Sequence, residues 1–188
     1  MAIRWREIGQ RYNLGVSPRV LYAASGKDPS VAVGFGGQNV VHVDPDEKTI
    51  KALEKAGYTG VTSRVEDFTP GKPFDLIALY RSHIDHHEVL PNLLKLGGLI
   101  VTNNGTFDAD RLAKSDELEL IAGYLPSYYE GSWVDAEEAR RELGSRFFAV
   151  ENGKILRDVE PTYSGVLEEA KNQEGLFVFR KKPEVLRP

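Results

Sequence analysis

Apolar residues recur along this chain in short runs separated by polar, glycine-rich or proline-rich breaks. Val20-Leu21-Tyr22-Ala23-Ala24 is too short for a helix, and the break after it, Ser25-Gly26-Lys27-Asp28-Pro29-Ser30, consists of residues that punctuate structure. This order predicts a strand leaving its sheet at a polar loop. A second run, Asn39-Val40-Val41-His42-Val43, is rich in β-branched residues and ends at Asp44, where the strand's carboxyl end should emerge. Residues 45–55 then predict a helix with Asp44 or Asp46 near its start, Ile50 and Leu53 facing inward, and Gly57 as its stop. A third strand is expected over 61–65, closed by Glu66-Asp67-Phe68 and a proline-rich turn over 69–73. Phe74-Asp75-Leu76-Ile77-Ala78-Leu79 has the character of a buried fourth strand, 83–95 reads as a helix, and 96–102 reads as a fifth strand entered through Gly97-Gly98. Asn103-Asn104-Gly105 ends that strand on the same edge as Asp44. Strands joined by helical crossovers predict an α/β domain with a mostly parallel sheet, whose ligands bind along the edge formed by the strands' carboxyl ends.

Past Asp110 the pattern predicts a helix over 109–115 and a strand over 118–122. Residues 126–134 carry Tyr128, Tyr129 and Trp133 without clear periodicity, and with the neighbouring residues 124–146 they suggest an aromatic cap that could wall a substrate site. A helix over 135–143, a hairpin over 147–157 around Asn152-Gly153 and a last strand over 176–179 follow, with the tail after Lys181 expected to fray. At the other end, Trp5, Ile8 and Tyr12 share a helical face among Arg4, Arg6 and Arg11. That spacing predicts a packing helix or lid within residues 1–17 in preference to a nucleic-acid stripe.

Composition narrows the classes. A chain of 188 residues is most simply one domain with its own core. A formal charge of -4 and a pI near 5.6, without long single-sign blocks, disfavour nucleic acid as a partner. The absence of cysteine rules out disulfides and thiolate metal sites. No stretch has the length of a signal peptide or a membrane span, so a cytoplasmic protein with no membrane partner is the expectation. Nothing in the sequence specifies an oligomeric state.

The order from Pro18 to Thr102 resembles the class I S-adenosylmethionine-dependent methyltransferases, and the last strand is consistent with it. The resemblance implies a Rossmann-like, doubly wound α/β fold with a mostly parallel sheet of about seven strands and an antiparallel C-terminal strand. It also implies S-adenosylmethionine as cofactor. In that family a glycine-rich loop after the first strand lies against the methionine part of the cofactor, which implies contacts from Tyr22, Ala24, Ser25, Gly26 and Asp28. Asp44, followed by Pro45, would bind the ribose hydroxyls, Glu66-Asp67-Phe68 would lie beside the adenine, and Tyr80 would border both cofactor and methyl-transfer site. Gly97-Gly98 matches the family's turn into the fifth strand. The first loop is degenerate: Tyr22 replaces the customary acid, and Ala24 and Asp28 replace two of the customary glycines, leaving Gly26. Each added side chain narrows the clearance between backbone and ligand. Asp28 offers a carboxylate for the cofactor's ammonium in place of the missing acid.

Plainer readings stand beside these. An acidic residue after a strand often caps a helix, but the surrounding order favours cofactor contact for Asp44; Glu66 and Asp67 are equally explained by turn solvation. Gly34-Phe35-Gly36-Gly37 precedes the second strand, so it reads as a turn and not as a dinucleotide fingerprint. His83-Ile84-Asp85-His86-His87-Glu88 is the densest polar cluster. Its spacing is not that of a zincin, so no metal is assigned and Asp85 is expected to cap a helix, while His83 or Asp85 remains a candidate general base. The expected activity is methyl transfer to a small-molecule substrate. The alternatives are a non-catalytic relative that has lost the cofactor and, ranked lower because no Gly-x-Gly-x-x-Gly follows the first strand, a nicotinamide-dependent oxidoreductase.

Overall fold

The structure, a computed structural model, describes residues 5–80, 82, 84–103, 108–125, 131–145, 149–151, 154–156 and 175–183. In chain order the elements are α1 (Trp5–Arg11), β1 (Val20–Ala23), α2 (Ser30–Phe35), β2 (Val40–Asp44), α3 (Glu47–Lys55), β3 (Thr59–Thr62) and β4 (Phe74–Leu79). A 3-10 turn (His87–Val89), α4 (Leu90–Leu93), β5 (Leu94–Asn103), α5 (Asp108–Ala113), β6 (Leu118–Leu125), β7 (Ser132–Asp135) and α6 (Ala136–Ser145) follow. The last elements are β8 (Ala149–Glu151), β9 (Lys154–Leu156) and β10 (Leu176–Lys181).

An eight-stranded sheet has the order β3-β2-β1-β4-β5-β10-β6-β7, and β8 pairs separately with β9 as an antiparallel hairpin. The five strands from β3 to β5 run parallel, while β10 lies antiparallel between β5 and β6, and β7 lies antiparallel on β6. The fold is therefore the Rossmann-like α/β fold expected, extended by β7. The sheet order reverses direction between β1 and β4, which opens the crevice of a doubly wound sheet at their carboxyl ends.

Alternation along each buried strand feeds two cores. Trp5, Ile8, Val31 and Ala32 cover one face of the sheet with Tyr22, Leu76, Val101 and Val178, whereas Leu90, Leu93, Ala109, Leu112, Ala139 and Leu143 cover the other with Leu21, Ile77, Ile100 and Phe179. The N-terminal helix packs as its spacing predicts, with Trp5 and Ile8 buried and Tyr12 half-buried against the same core.

Several boundaries differ from expectation, each for a local reason. The third strand begins at Thr59 because β2, its partner among the described residues, pairs Val41 with Thr59 and ends by pairing Asp44 with Thr62; Val65 is instead buried in the following turn. The helix expected over 83–95 contracts to the 3-10 turn and four residues of α4. Pro91 is tolerated only in a helix's first turn, and Leu94 is already extended and paired with Phe74. The cap positions consequently fall to His86 and Val89 in place of the expected Asp85, which forms an exposed ion pair with Arg64 at 3.6 Å. Gly34 and Phe35 belong to α2, which Gly36 stops in the left-handed conformation, so only Gly36-Gly37 is turn. Residues 132–134, read as aperiodic, form β7 together with Asp135, read as the start of a helix, whereas Tyr128, Tyr129 and the Asn152-Gly153 turn lie outside the described residues.

Candidate functional site

The loop leaving β1 is bent by two successive left-handed turns, Ala24 at φ 47° and Gly26 at φ 54°. For Ala24 this conformation costs roughly 1–2 kcal/mol, because its Cβ crowds the following carbonyl. Glycine bears no such cost, and a Cβ built on Gly26 would meet nothing within 4 Å. The backbone of the loop thus keeps an open face at Gly26 although two of its glycines are replaced.

Side chains fix this loop from three directions. Asp44, buried at 8% exposure, accepts the Gly26 N–H at Oδ2 (3.0 Å) and the Asp46 N–H at Oδ1 (2.9 Å). The capping task belongs to Asp46, which accepts from the Lys48 N–H at 3.1 Å and the Thr49 hydroxyl at 2.7 Å; these bonds, the Thr49 hydroxyl foremost, hold its carboxyl below the usual range. Asp28 accepts the Ser30 N–H (2.9 Å), the Ser30 hydroxyl (2.8 Å) and the Tyr22 hydroxyl (2.9 Å). Tyr22, fully buried, lies also 3.1 Å from the Tyr80 carbonyl oxygen. The Ser82 hydroxyl donates to the Ala23 carbonyl at 2.5 Å, so the carboxyl ends of β1 and β4 are joined twice across the crevice.

Neither Asp28 nor Asp44 has an ion-pair partner among the described residues; both are served by neutral N–H and O–H donors. Two carboxylates on either side of an open glycine make the site electronegative and favour a cationic ligand. Each also keeps lone pairs in reserve, since a carboxylate has about four acceptor positions.

Comparison with known proteins agrees with this architecture. No protein-family model and no curated protein matches the chain. Solved structures do. The O-MT segment of StiE superposes with a TM-score of 0.55 at 13% identity, covering 96% of this chain and 74% of that one. TrmN from Thermus thermophilus gives 0.52 at 15% identity over 94% of this chain and 48% of that one. The tRNA methyltransferase TrmI from Aquifex aeolicus gives 0.52 at 14% identity over 96% and 68%. The chain has the fold of the class I S-adenosylmethionine-dependent methyltransferases. At these identities the likeness is one of fold, and the chemistry rests on the residues in place.

Those residues fit the cofactor the fold implies. The spare acceptor positions of Asp44 suit a ribose diol, those of Asp28 suit an ammonium, and the open face at Gly26 admits a ligand against the backbone. Of the other residues singled out in the sequence, Ala24, Ser25, Gly26 and Asp28 converge with Tyr22, Asp44 and Tyr80. Pro45 is exposed beside Asp44. Glu66 is half-buried and Asp67 exposed after β3, while Phe68 packs toward the core on Phe74 at 6.2 Å. Tyr80 is buried against the Trp5 ring at 6.5 Å. Asp85 is exposed, and His83 lies outside the described residues.

Four polar residues take roles that the sequence reading did not assign, His87 having been named there only as part of the 83–88 cluster. Ser82 joins β4 to β1 as described above. His87 and Asp108, buried together at 8% and 0% exposure, meet at 2.5 Å between the segments that follow β4 and β5. His42 is fully buried on β2 and contacts Ser25 at 3.1 Å. A signal for His42 was present: it is a polar residue within a β-branched run, two positions before Asp44 and so on the same strand face. His87 and Asp108 are far apart in sequence, and no local pattern pairs them. Among the described residues, no three His, Asp or Glu side chains converge on a cation position, and no helix is long and apolar enough to cross a membrane.

Proposed function

We propose that the chain is an S-adenosylmethionine-dependent methyltransferase acting on a small-molecule acceptor. The observation that carries this reading is the pair of carboxylates, Asp28 and Asp44, served only by neutral donors and set on either side of Gly26. Asp44 would hold the ribose hydroxyls and Asp28 the ammonium, with Tyr22 and Ser30 aiming the Asp28 carboxylate. When bound, the cofactor supplies a methyl group on a sulfonium that is already electrophilic. The work left to the protein is alignment of acceptor and methyl group, together with removal of a proton where the acceptor carries one. Tyr80, at the carboxyl end of β4, is the residue we place beside the acceptor. A formal charge of -4 supports a small acceptor over RNA, because RNA binding draws on clustered cations.

A second reading, a binding protein that no longer transfers methyl groups, draws support from Tyr22 and Ser82, which occupy the carbonyls of Tyr80 and Ala23 across the crevice. Calorimetric titration with S-adenosylmethionine, S-adenosylhomocysteine and NAD distinguishes them. Saturable adenosyl binding, weakened about tenfold or more by Asp28→Asn through loss of a charge-assisted contact, is the expected result. A folded sample that binds neither adenosyl compound would overturn the methyltransferase reading, and binding of NAD alone would move the chain to nicotinamide chemistry.

A further inference from the structure

The Ser25-Gly26 turn is gripped by two side chains from one face of one strand. His42 and Asp44 stand two residues apart on β2, which pairs in parallel with β1 through Tyr22↔His42 and Ala23↔Val43. Asp44 takes the Gly26 N–H at 3.0 Å, and His42 Nδ1 lies 3.1 Å from Ser25 Oγ. The Ser25 hydroxyl donates onward to the Gly26 carbonyl at 3.2 Å, so its oxygen acts as acceptor toward His42 and Nδ1 carries the imidazole proton. A relay therefore runs from the core through Ser25 to one side of the Gly26 residue, while Asp44 holds the other.

His42 fills this role in an unfavourable place. Its ring lies between Tyr22 and Tyr58, with centroids 5.5 and 5.8 Å away, and Nε2 is buried without a hydrogen-bond partner. A phenylalanine would leave no such orphan, and a buried unpaired polar atom in a native core calls for a compensating task. The neighbouring backbone supplies one. Ala24 adopts a left-handed conformation that glycine would adopt freely, and the turn it makes must be held by something outside it.

We infer that His42 is a positioning residue of the cofactor loop: from within the core it holds the Ser25-Gly26 turn in its ligand-receiving shape, replacing by a side-chain bond the freedom lost with the missing glycines. The inference rests on the cofactor reading above for its consequence in binding, but its structural part is measurable without any ligand. It also makes Ala24 and His42 interdependent. If Ala24 is returned to glycine, the turn no longer needs the grip.

The experiment compares wild type, His42→Phe, Ser25→Ala, Ala24→Gly and both double variants with Ala24→Gly. Amide hydrogen exchange is read at Gly26 against core amides of β4 such as Ile77, and S-adenosylhomocysteine affinity by calorimetry. Removing the bond at either end should raise Gly26 exchange about tenfold beyond any change at Ile77 and weaken the ligand by a similar factor, as loss of one buried hydrogen bond implies. Adding Ala24→Gly should restore both. Ser25→Ala keeps every large core side chain, and exchange at Ile77 registers any general loss of stability, so the comparison survives a folding defect in His42→Phe. Unchanged Gly26 exchange in Ser25→Ala, or a defect that Ala24→Gly does not relieve, would overturn the inference. Wild type that fails to bind the adenosyl ligand while the exchange pattern holds would sink the cofactor reading and leave the positioning role standing.

Discussion

The Tyr22 hydroxyl donates to Asp28 Oδ2 at 2.9 Å, linking β1 to the far side of the loop that follows it. Where the resemblance leads one to expect an acid on the strand, the chain has a tyrosine, and the carboxylate stands six residues later at the end of that tyrosine's bond. The negative charge has moved along the loop without leaving the site. Tyr22→Phe keeps the buried ring and removes only the hydroxyl. It should lower unfolding stability by about 1–3 kcal/mol, since a hydroxyl bonded to a charged group in a buried setting is worth that much. Asp28, no longer aimed, should also bind the adenosyl ligand more weakly. Equal denaturation midpoints and equal affinities in the two proteins would refute the bond's importance.

Acid should weaken the fold through His42. Burial pushes its imidazole below the ordinary histidine value, opposed by the Asp28 carboxylate. The unfolded chain then binds the proton more readily than the folded one, so this stability is complete above about pH 6.5 and is lost as the pH falls below it. His86 works with the opposite sign, because the adjoining Glu88 holds its imidazole high; that contribution is present at low pH and fades as pH rises. The His86 pair is fully exposed and screened by salt, whereas His42 is not. In high salt, urea midpoints should therefore decline from pH 7.5 to 5.5 in wild type and decline distinctly less in His42→Phe. Parallel pH profiles for the two proteins would exclude His42 as the source.

Sequence pattern carried the fold because its central strands are buried on both faces, as at residues 74–79, where expectation and structure coincide. It erred where pairing or one residue decided the outcome. Leu90 and Leu93 have helical spacing, but Pro91 and the pairing of Leu94 with Phe74 cut the helix short. The candidate site was legible as residue types, Gly26, Asp28 and Asp44, in the right order along the chain. Its hydrogen bonds were not, because Tyr22 to Asp28, Ser82 to Ala23 and His42 to Ser25 are set by how the parallel strands lie in register.

The His87–Asp108 pair fastens the segment after β4 to the start of α5, and both side chains are nearly excluded from water. A buried ion or hydrogen-bonded charge contributes little net stability as a pair, but removing one partner strands the other. Asp108→Asn should cost about 3 kcal/mol, which lowers Tm by roughly 6–12 °C in a chain of this size. Combining it with His87→Leu should recover part of that loss, giving a coupling of about 1 kcal/mol or more in a double-mutant cycle. Additive effects would mean that the two side chains do not act on each other.

Gly34 offers a test in which two physical effects oppose each other. Within an ordinary helix, glycine to alanine stabilises by about 1 kcal/mol. Here α1 lies directly on α2, and a Cβ at Gly34 would fall inside contact distance of Trp5 Cβ, with Trp5 Cγ at 3.2 Å and Cα at 3.4 Å. Trp5 cannot rotate its own Cβ aside, so helix α1 itself must lift. Its far end is anchored by Arg11, whose guanidinium lies 4.9 Å from the Trp133 ring centroid, and Trp133 Nε1 also donates to Glu7 Oε1 in the first turn at 2.7 Å. The N-terminal end of the helix should therefore lift about the anchored end and draw the Trp5 ring away from Phe35 and Tyr80, now 6.3 and 6.5 Å off. Overpacking of this kind costs about 1–3 kcal/mol, which exceeds the helix gain at all but its lower limit. Gly34→Ala should accordingly lower stability and shift tryptophan emission to the red. A gain in stability with unchanged emission would mean that helix propensity prevails and that Trp5 does not seat on Gly34.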